Sequence, residues 1–169
     1  MSIALTLAPV RARAPDGALK TEYLHALRLI ERLHRLLLDV IKDEFDRLGH
    51  TELNSVQSLL IYNIGDAELT AGELKSRGYY LGSNVSYNLK KLVELGYIHH
   101  KRSDTDRRSV RISLTERGKE AFDIVNGLYH RQLGSIQAVG EVNGDDLATL
   151  NRSLLRLERF WSDQIRFRL

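Results

Sequence analysis

One switch of hydrophobic period, just past the middle of the chain, restricts the possible folds more than any other feature. Val85, Leu89, Leu92 and Val93 recur at i, i+4, i+7 and i+8, which predicts a helix with one buried face. Gly96 stops that helix. It stands where a left-handed residue is wanted, and Tyr97 after it can fold back on Leu92. Beyond it the period falls to two: Val110, Ile112 and Leu114 alternate with Arg111, Ser113 and Thr115, and the segment from Tyr97 to Arg102 supplies an antiparallel partner strand. The polar stretch between them, Ser103 to Ser109, reads as a long exposed hairpin tip.

The side chains left on the open side of this unit are of two kinds. Ser83, Asn84, Ser86, Tyr87 and Asn88 are hydrogen-bonding groups near the helix start, while Lys90 and Lys91 are cations further along. A helix lying in a major groove divides base edges and phosphates in the same way. On the hairpin, Lys101, Arg102, Arg107, Arg108 and Arg111 read either as cations guarding a solvated strand edge or as a wing reaching a minor groove or phosphate backbone. The helix immediately before them favours the second reading. Asp104 and Asp106 weaken a purely electrostatic patch, but a carboxylate next to an arginine can hold its guanidinium in a fixed fork. The charge distribution points the same way. From Lys75 to Lys119 there are 11 Lys and Arg against 4 Asp and Glu, whereas the rest of the chain has 14 against 18. Such concentration of positive charge favours a polyanionic partner.

Upstream, Leu69-Thr70-Ala71-Gly72-Glu73-Leu74 carries a capping box, with Thr70 as N-cap and Glu73 at N3, and a Leu69/Leu74 staple. A short helix starting at Ala71 and ending near Gly78, with a second helix about five residues later, has the spacing of a helix-turn-helix. With Glu73-Leu74, the Val85/Leu89/Leu92 helix, Leu95-Gly96-Tyr97-Ile98, the run Asp104-Thr105-Asp106-Arg107-Arg108-Ser109 and Leu114-Thr115-Glu116-Arg117-Gly118, the chain resembles the MarR (multiple antibiotic resistance regulator) family of winged helix-turn-helix transcription regulators. One departure is Leu81, where family members commonly carry a small hydroxyl residue that caps the reading helix. The cap is therefore expected at Ser83.

The expected architecture is mainly α with a small β-hairpin wing. Residues 1–17 form an N-terminal arm, either a disordered tail or an ordered arm crossing a partner subunit; 18–48 and 116–169 are dimerisation helices; 49–115 is the winged helix-turn-helix region. The first helix is apolar over more than half its circumference, and Leu147, Leu150, Leu154, Leu157 and Trp161 near the other end are spaced 3, 4, 3, 4, the seam of a helix-helix contact. The resemblance implies that these helices interlace in a two-fold homodimer on double-stranded DNA with an inverted-repeat operator. It implies a repressor, acting in a stress response and released by a small aromatic or anionic effector. Candidate lining groups are His34, Leu38 and Tyr62, each of which reads first as a packing residue and only second as a ligand contact. The likeness also places Asp106 as a brace for the wing, with Arg108 inserted in the minor groove and Arg107 on the backbone, or the reverse.

Other chemistry finds little support. His99 and His100 are neighbours in a strand and point to opposite faces, and the other four histidines are dispersed, so no metal set is expected. No phosphate loop or nucleophile-base order is present, and no cofactor is expected. With no cysteine, oxidant sensing through a thiol is closed. No apolar run reaches membrane-spanning length, and Met1 to Val10 lacks the charge order of a secretory signal, so a cytoplasmic chain without membrane contact is expected. The remaining alternatives are a winged helix used for protein contact and a nucleic-acid-processing enzyme using Asp104 and Asp106 to bind magnesium.

Overall fold

The computed structural model describes residues 17–70, 72–74, 82–102 and 110–167. In order these form α1 (Gly17–Arg47), α2 (Ser55–Ile64), β1 (Leu69–Thr70), α3 (Gly82–Glu94), β2 (Ile98–Arg102), β3 (Val110–Leu114), α4 (Glu116–Gly140) and α5 (Gly144–Phe167), with residues 72–74 also helical. The chain divides into two compact units, Met1–Val40 and Ile41–Leu169.

Helix boundaries follow local chemistry. Asn54 Oδ1 accepts from the Gln57 amide at 2.9 Å and Gln57 Oε1 accepts from the Asn54 amide at 3.1 Å, a reciprocal box that starts α2. The expected Thr70/Glu73 box is also formed: the Thr70 amide donates to Glu73 Oε2 at 2.7 Å and the Glu73 amide to Thr70 Oγ1 at 3.1 Å. Thr115 Oγ1 caps α4 by accepting from the Gly118 amide at 3.1 Å, and Asn143 Oδ1 caps α5 by accepting from the amides of Asp145 and Asp146 at 2.8 and 3.1 Å. At the end of α3, Gly96 takes a φ of +76°, the Tyr97 amide donates to the Leu92 carbonyl at 2.9 Å, and the Gly96 amide donates to that of Val93 at 3.0 Å. These are the two bonds of a Schellman ending.

The hairpin is part of a larger sheet. β2 and β3 pair antiparallel from Ile98↔Leu114 to Arg102↔Val110, and β1 pairs antiparallel with β3 on its other edge, giving the order β1-β3-β2. This third strand was not expected. Two residues are too few to display a period of two, and Thr70 also serves as a helix cap.

The core of the second unit joins Ile41 and Phe45 of α1, Leu60, Ile61 and Ile64 of α2, Leu92, Tyr97, Ile112 and Val125, all at most 1% exposed. The base of the hairpin lies so close to α4 that a Cβ on Gly118 would come within 2.1 Å of the Tyr97 carbonyl oxygen. Glycine is thus required there. Two helical surfaces remain in water. In α1, Leu24, Leu29, Leu33 and Leu36 are 42, 39, 57 and 52% exposed, and α5 has no buried residue, with Leu150, Leu155 and Phe160 at 47, 63 and 51%.

Candidate nucleic-acid interface

α3 presents a packed side and an open side. Val85, Leu89 and Leu92 are 4, 7 and 0% exposed, which anchors the helix and turns Asn84, Ser86, Tyr87 and Lys90 outward. Tyr87 is 61% exposed, a large aromatic group held in water. Three details differ from the expected helix. It begins at Gly82, so Ser83 falls inside it and is not its cap. Val93 is 39% exposed, because at the end of the stripe the helix has turned past the core. Asn88 is only 9% exposed, and its Nδ2 donates to the Asn84 carbonyl at 2.9 Å, which takes it out of the open face.

Lys90 and Lys91 are not equivalent. Lys91 Nζ donates to Glu94 Oε2 at 2.8 Å, and this bond raises the lysine pKa and lowers that of the carboxyl. Lys90 Nζ lies 4.0 Å from Glu94 and its side chain is 79% exposed, so it is the freer cation. Beside it, between α3 and β2, Ser86, Leu89, Lys90, Val93, Glu94 and His100 line an open groove of about 520 Å³.

Strand alternation sorts the hairpin side chains. Ile98 and His100 share the face of Leu114 and Ile112, whereas His99 and Lys101 stand opposite Ser113 and Arg111 on the other. Thr70 flanks Arg111 from β1. The outward face of the wing thus carries Lys101, Arg111 and His99 together. Asp104, Asp106, Arg107 and Arg108 at the tip lie outside the described residues.

Sequence reasoning missed the polar cluster beneath the wing. The Tyr97 hydroxyl donates to Glu52 Oε1 at 2.5 Å, and Arg117 Nη2 donates to the same oxygen at 2.8 Å. Arg117 Nη1 donates to the Leu95 carbonyl at 2.7 Å, and its guanidinium stacks 4.5 Å from the centre of the Tyr97 ring. The Tyr97 hydrogen bond leads the effects that lower the Glu52 pKa, while burial, followed by that bond, pushes the Tyr97 phenol up to about 12. Glu52 and Arg117 are 65 residues apart, and no local pattern relates them. The one available signal was the motif around Thr115 and Gly118.

Of the candidate effector-lining residues, His34 is exposed and Leu38 half-buried on α1. Tyr62 stacks on Phe122 of α4 with centroids 5.2 Å apart and meets Tyr129 edge-on at 5.0 Å. No helix among the described residues is long and apolar enough to cross a membrane.

Comparison with known proteins places this geometry. A family model described as a winged helix DNA-binding domain matches residues 53–118, the segment from the start of α2 to Gly118. The exopolysaccharide II synthesis transcriptional activator ExpG of Rhizobium meliloti is 36% identical over 161 residues, covering 94% of this chain and 81% of that protein. The organic hydroperoxide resistance transcriptional regulator of Bacillus subtilis is 31% identical over 120 residues, 69% of this chain and 75% of its own length. Among solved structures, a mutant MarR from E. coli complexed with operator DNA superposes with a TM-score of 0.65 at 21% identity, over 80% of this chain and 95% of that one. These relatives are transcription regulators and not enzymes. An outward helix, a sheet whose hairpin bears cations, and the motifs that join them make this chain a member of the MarR family of winged-helix, DNA-binding transcription regulators.

Proposed function

We propose that the protein acts as a homodimer that reads an inverted-repeat operator and represses transcription there until a small aromatic or anionic effector releases it. The observation that carries the dimer is α5, a 24-residue helix with a row of large apolar side chains and none buried. Burying one leucine or phenylalanine contributes about 1.5 to 3 kcal/mol, so leaving the row in water is a large cost that a second copy removes. Two α3 helices related by a dyad would meet successive major grooves about 34 Å apart. In this reading Ser83, Asn84, Ser86 and Tyr87 face base edges. Lys90, Lys91, Lys101 and Arg111 face phosphates, Arg107 and Arg108 extend the wing, and Asn88 supports the helix from within. The aromatic cluster at Tyr62 supports a site for a flat, apolar effector. Such a protein works in the cytoplasm, where the DNA is.

The name of the 36% identical relative, a transcriptional activator, supports activation as a second reading. Where the operator lies relative to the promoter decides between the two. Footprinting on the promoter of the chain's own gene, followed by transcription from it in vitro, tests both. A symmetric protected site with reduced transcript supports repression, and increased transcript supports activation. An unprotected promoter, or equal binding to random duplex, overturns the sequence-specific reading. Sedimentation of Leu154→Asp tests the dimer: a monomer with lost operator affinity is expected, and an unchanged dimer excludes α5 as its interface.

A further inference from the structure

We propose that Arg117 is a positioning residue for DNA recognition, one that sets the angle between α3 and the wing without itself touching DNA. The inference rests on the reading of α3 and the wing as the two DNA contacts. Between Glu94 of α3 and Ile98 of β2 lie only Leu95, Gly96 and Tyr97, with Gly96 in the left-handed region. A short link through a glycine swings unless something braces it. Part of the brace is local: the Thr115 amide donates to the Tyr97 carbonyl at 3.1 Å and Thr115 Oγ1 to that of Gly96 at 2.7 Å. Arg117 supplies the rest. One arm of its guanidinium holds the Leu95 carbonyl, a group that the helix end leaves without an intrahelical donor, and the other holds Glu52, which enters α2. Its plane lies over Tyr97, whose hydroxyl meets the same carboxylate. The end of α3, the foot of the wing and the approach to α2 are therefore tied at one side chain.

Magnitudes separate positioning from plain stabilisation. The Arg117 and Glu52 side chains are 50 and 32% exposed, and ion pairs this open add little to folding stability. Geometry is more sensitive. A five-residue strand is about 17 Å long, so a tilt of about 10° at its foot moves the far end by about 3 Å, more than a hydrogen bond tolerates. Only a planar fork can hold two acceptors and stack at once, and lysine offers the same charge without it.

The test measures operator affinity, random-duplex affinity and melting temperature, at matched salt, for the parent, Arg117→Lys, Lys101→Ala and the double variant. Arg117→Lys conserves charge, so electrostatics alone expects no change. The expected result is a loss of about five- to tenfold on operator, a change within about twofold on random duplex, and an unaltered melting temperature. In the Lys101→Ala background the same substitution should cost less, because the wing contact it positions is already gone. Glu52→Gln removes an anion and on charge alone should tighten binding; weaker operator binding is expected. Operator affinity equal to the parent, equal losses on both duplexes, full additivity with Lys101→Ala, or a loss that tracks a lowered melting temperature would each overturn the proposal. A parent with no operator preference would instead overturn the reading on which it rests.

Discussion

Lys101 of β2 stands directly opposite Arg111 of β3, so two cations occupy one rung of the wing. Like charges facing each other across an antiparallel pair destabilise it. A polyanion lying over that face would reverse the sign. Replacing either by Ala should leave the melting temperature of the free protein unchanged or slightly raised. It should also weaken operator binding more than random-duplex binding, because only on the operator is the wing held in one register, and lower the slope of log affinity against log salt by about one. Salt titrations on operator and random DNA, run beside thermal melts, check both halves. A variant that lost stability and kept its salt slope would show that the pair has another role.

On α3 the open and inward asparagines should behave differently. Asn84→Ala or Tyr87→Ala should relax discrimination at one or two base pairs, at a cost of about 1 to 3 kcal/mol if a base contact is lost. Asn88→Ala, whose amide is engaged with the Asn84 carbonyl, should cost about 1 kcal/mol of stability and leave base preference as it was. Lys90→Ala should weaken all sequences together, and more than Lys91→Ala, because Lys91 already holds Glu94. Binding to a library of single-base operator variants distinguishes these effects. A changed preference in the lysine variants, with none in Asn84→Ala, would mean that the helix is rotated differently on the groove.

Asp106 in the wing gives a prediction whose sign is diagnostic. Its removal subtracts one negative charge, which on charge alone tightens binding to DNA. If the carboxylate braces a wing arginine, Asp106→Ala binds operator more weakly and keeps its oligomeric state. Equal or tighter binding at matched salt would reduce the wing to a diffuse cationic patch.

The Tyr97 phenol, raised from 10.0 to about 12 by burial and then by its bond to Glu52, links stability to alkaline pH. The folded state holds this proton more tightly than the unfolded state. Its contribution is therefore complete below pH 10 and is lost as pH rises through about 12. Glu52 acts at the other end: its lowered pKa contributes stability above the usual carboxylate value of 4.5, lost as pH falls through the folded pKa. Denaturant titrations between pH 8 and 12 should show the alkaline decline in the parent and a smaller one in Tyr97→Phe. Identical alkaline slopes would exclude Tyr97 as the group responsible.

What could be read directly from the chain depended on the range over which the cause acts. The α3 stripe, the Gly96 stop, the Thr70/Glu73 capping box and the pairing of Ile98–Arg102 with Val110–Leu114 are set by residues within a turn or a hairpin of one another. Periodicity and turn chemistry were enough for these, and they already carried the charged face of the wing. Tertiary structure decided what depends on distant neighbours. It added β1, because a two-residue strand has no pattern of its own and exists only by pairing with β3. It turned Asn88 inward although its composition matched the open face, because one helical step decides which side a residue joins. It also assembled Glu52, Tyr97 and Arg117, whose relation appears only when α2, the end of α3 and the start of α4 are packed together. Gly118 shows both scales at once: its motif was visible in the sequence, and the reason for it, a backbone 2.1 Å from where a Cβ would stand, belongs to the fold.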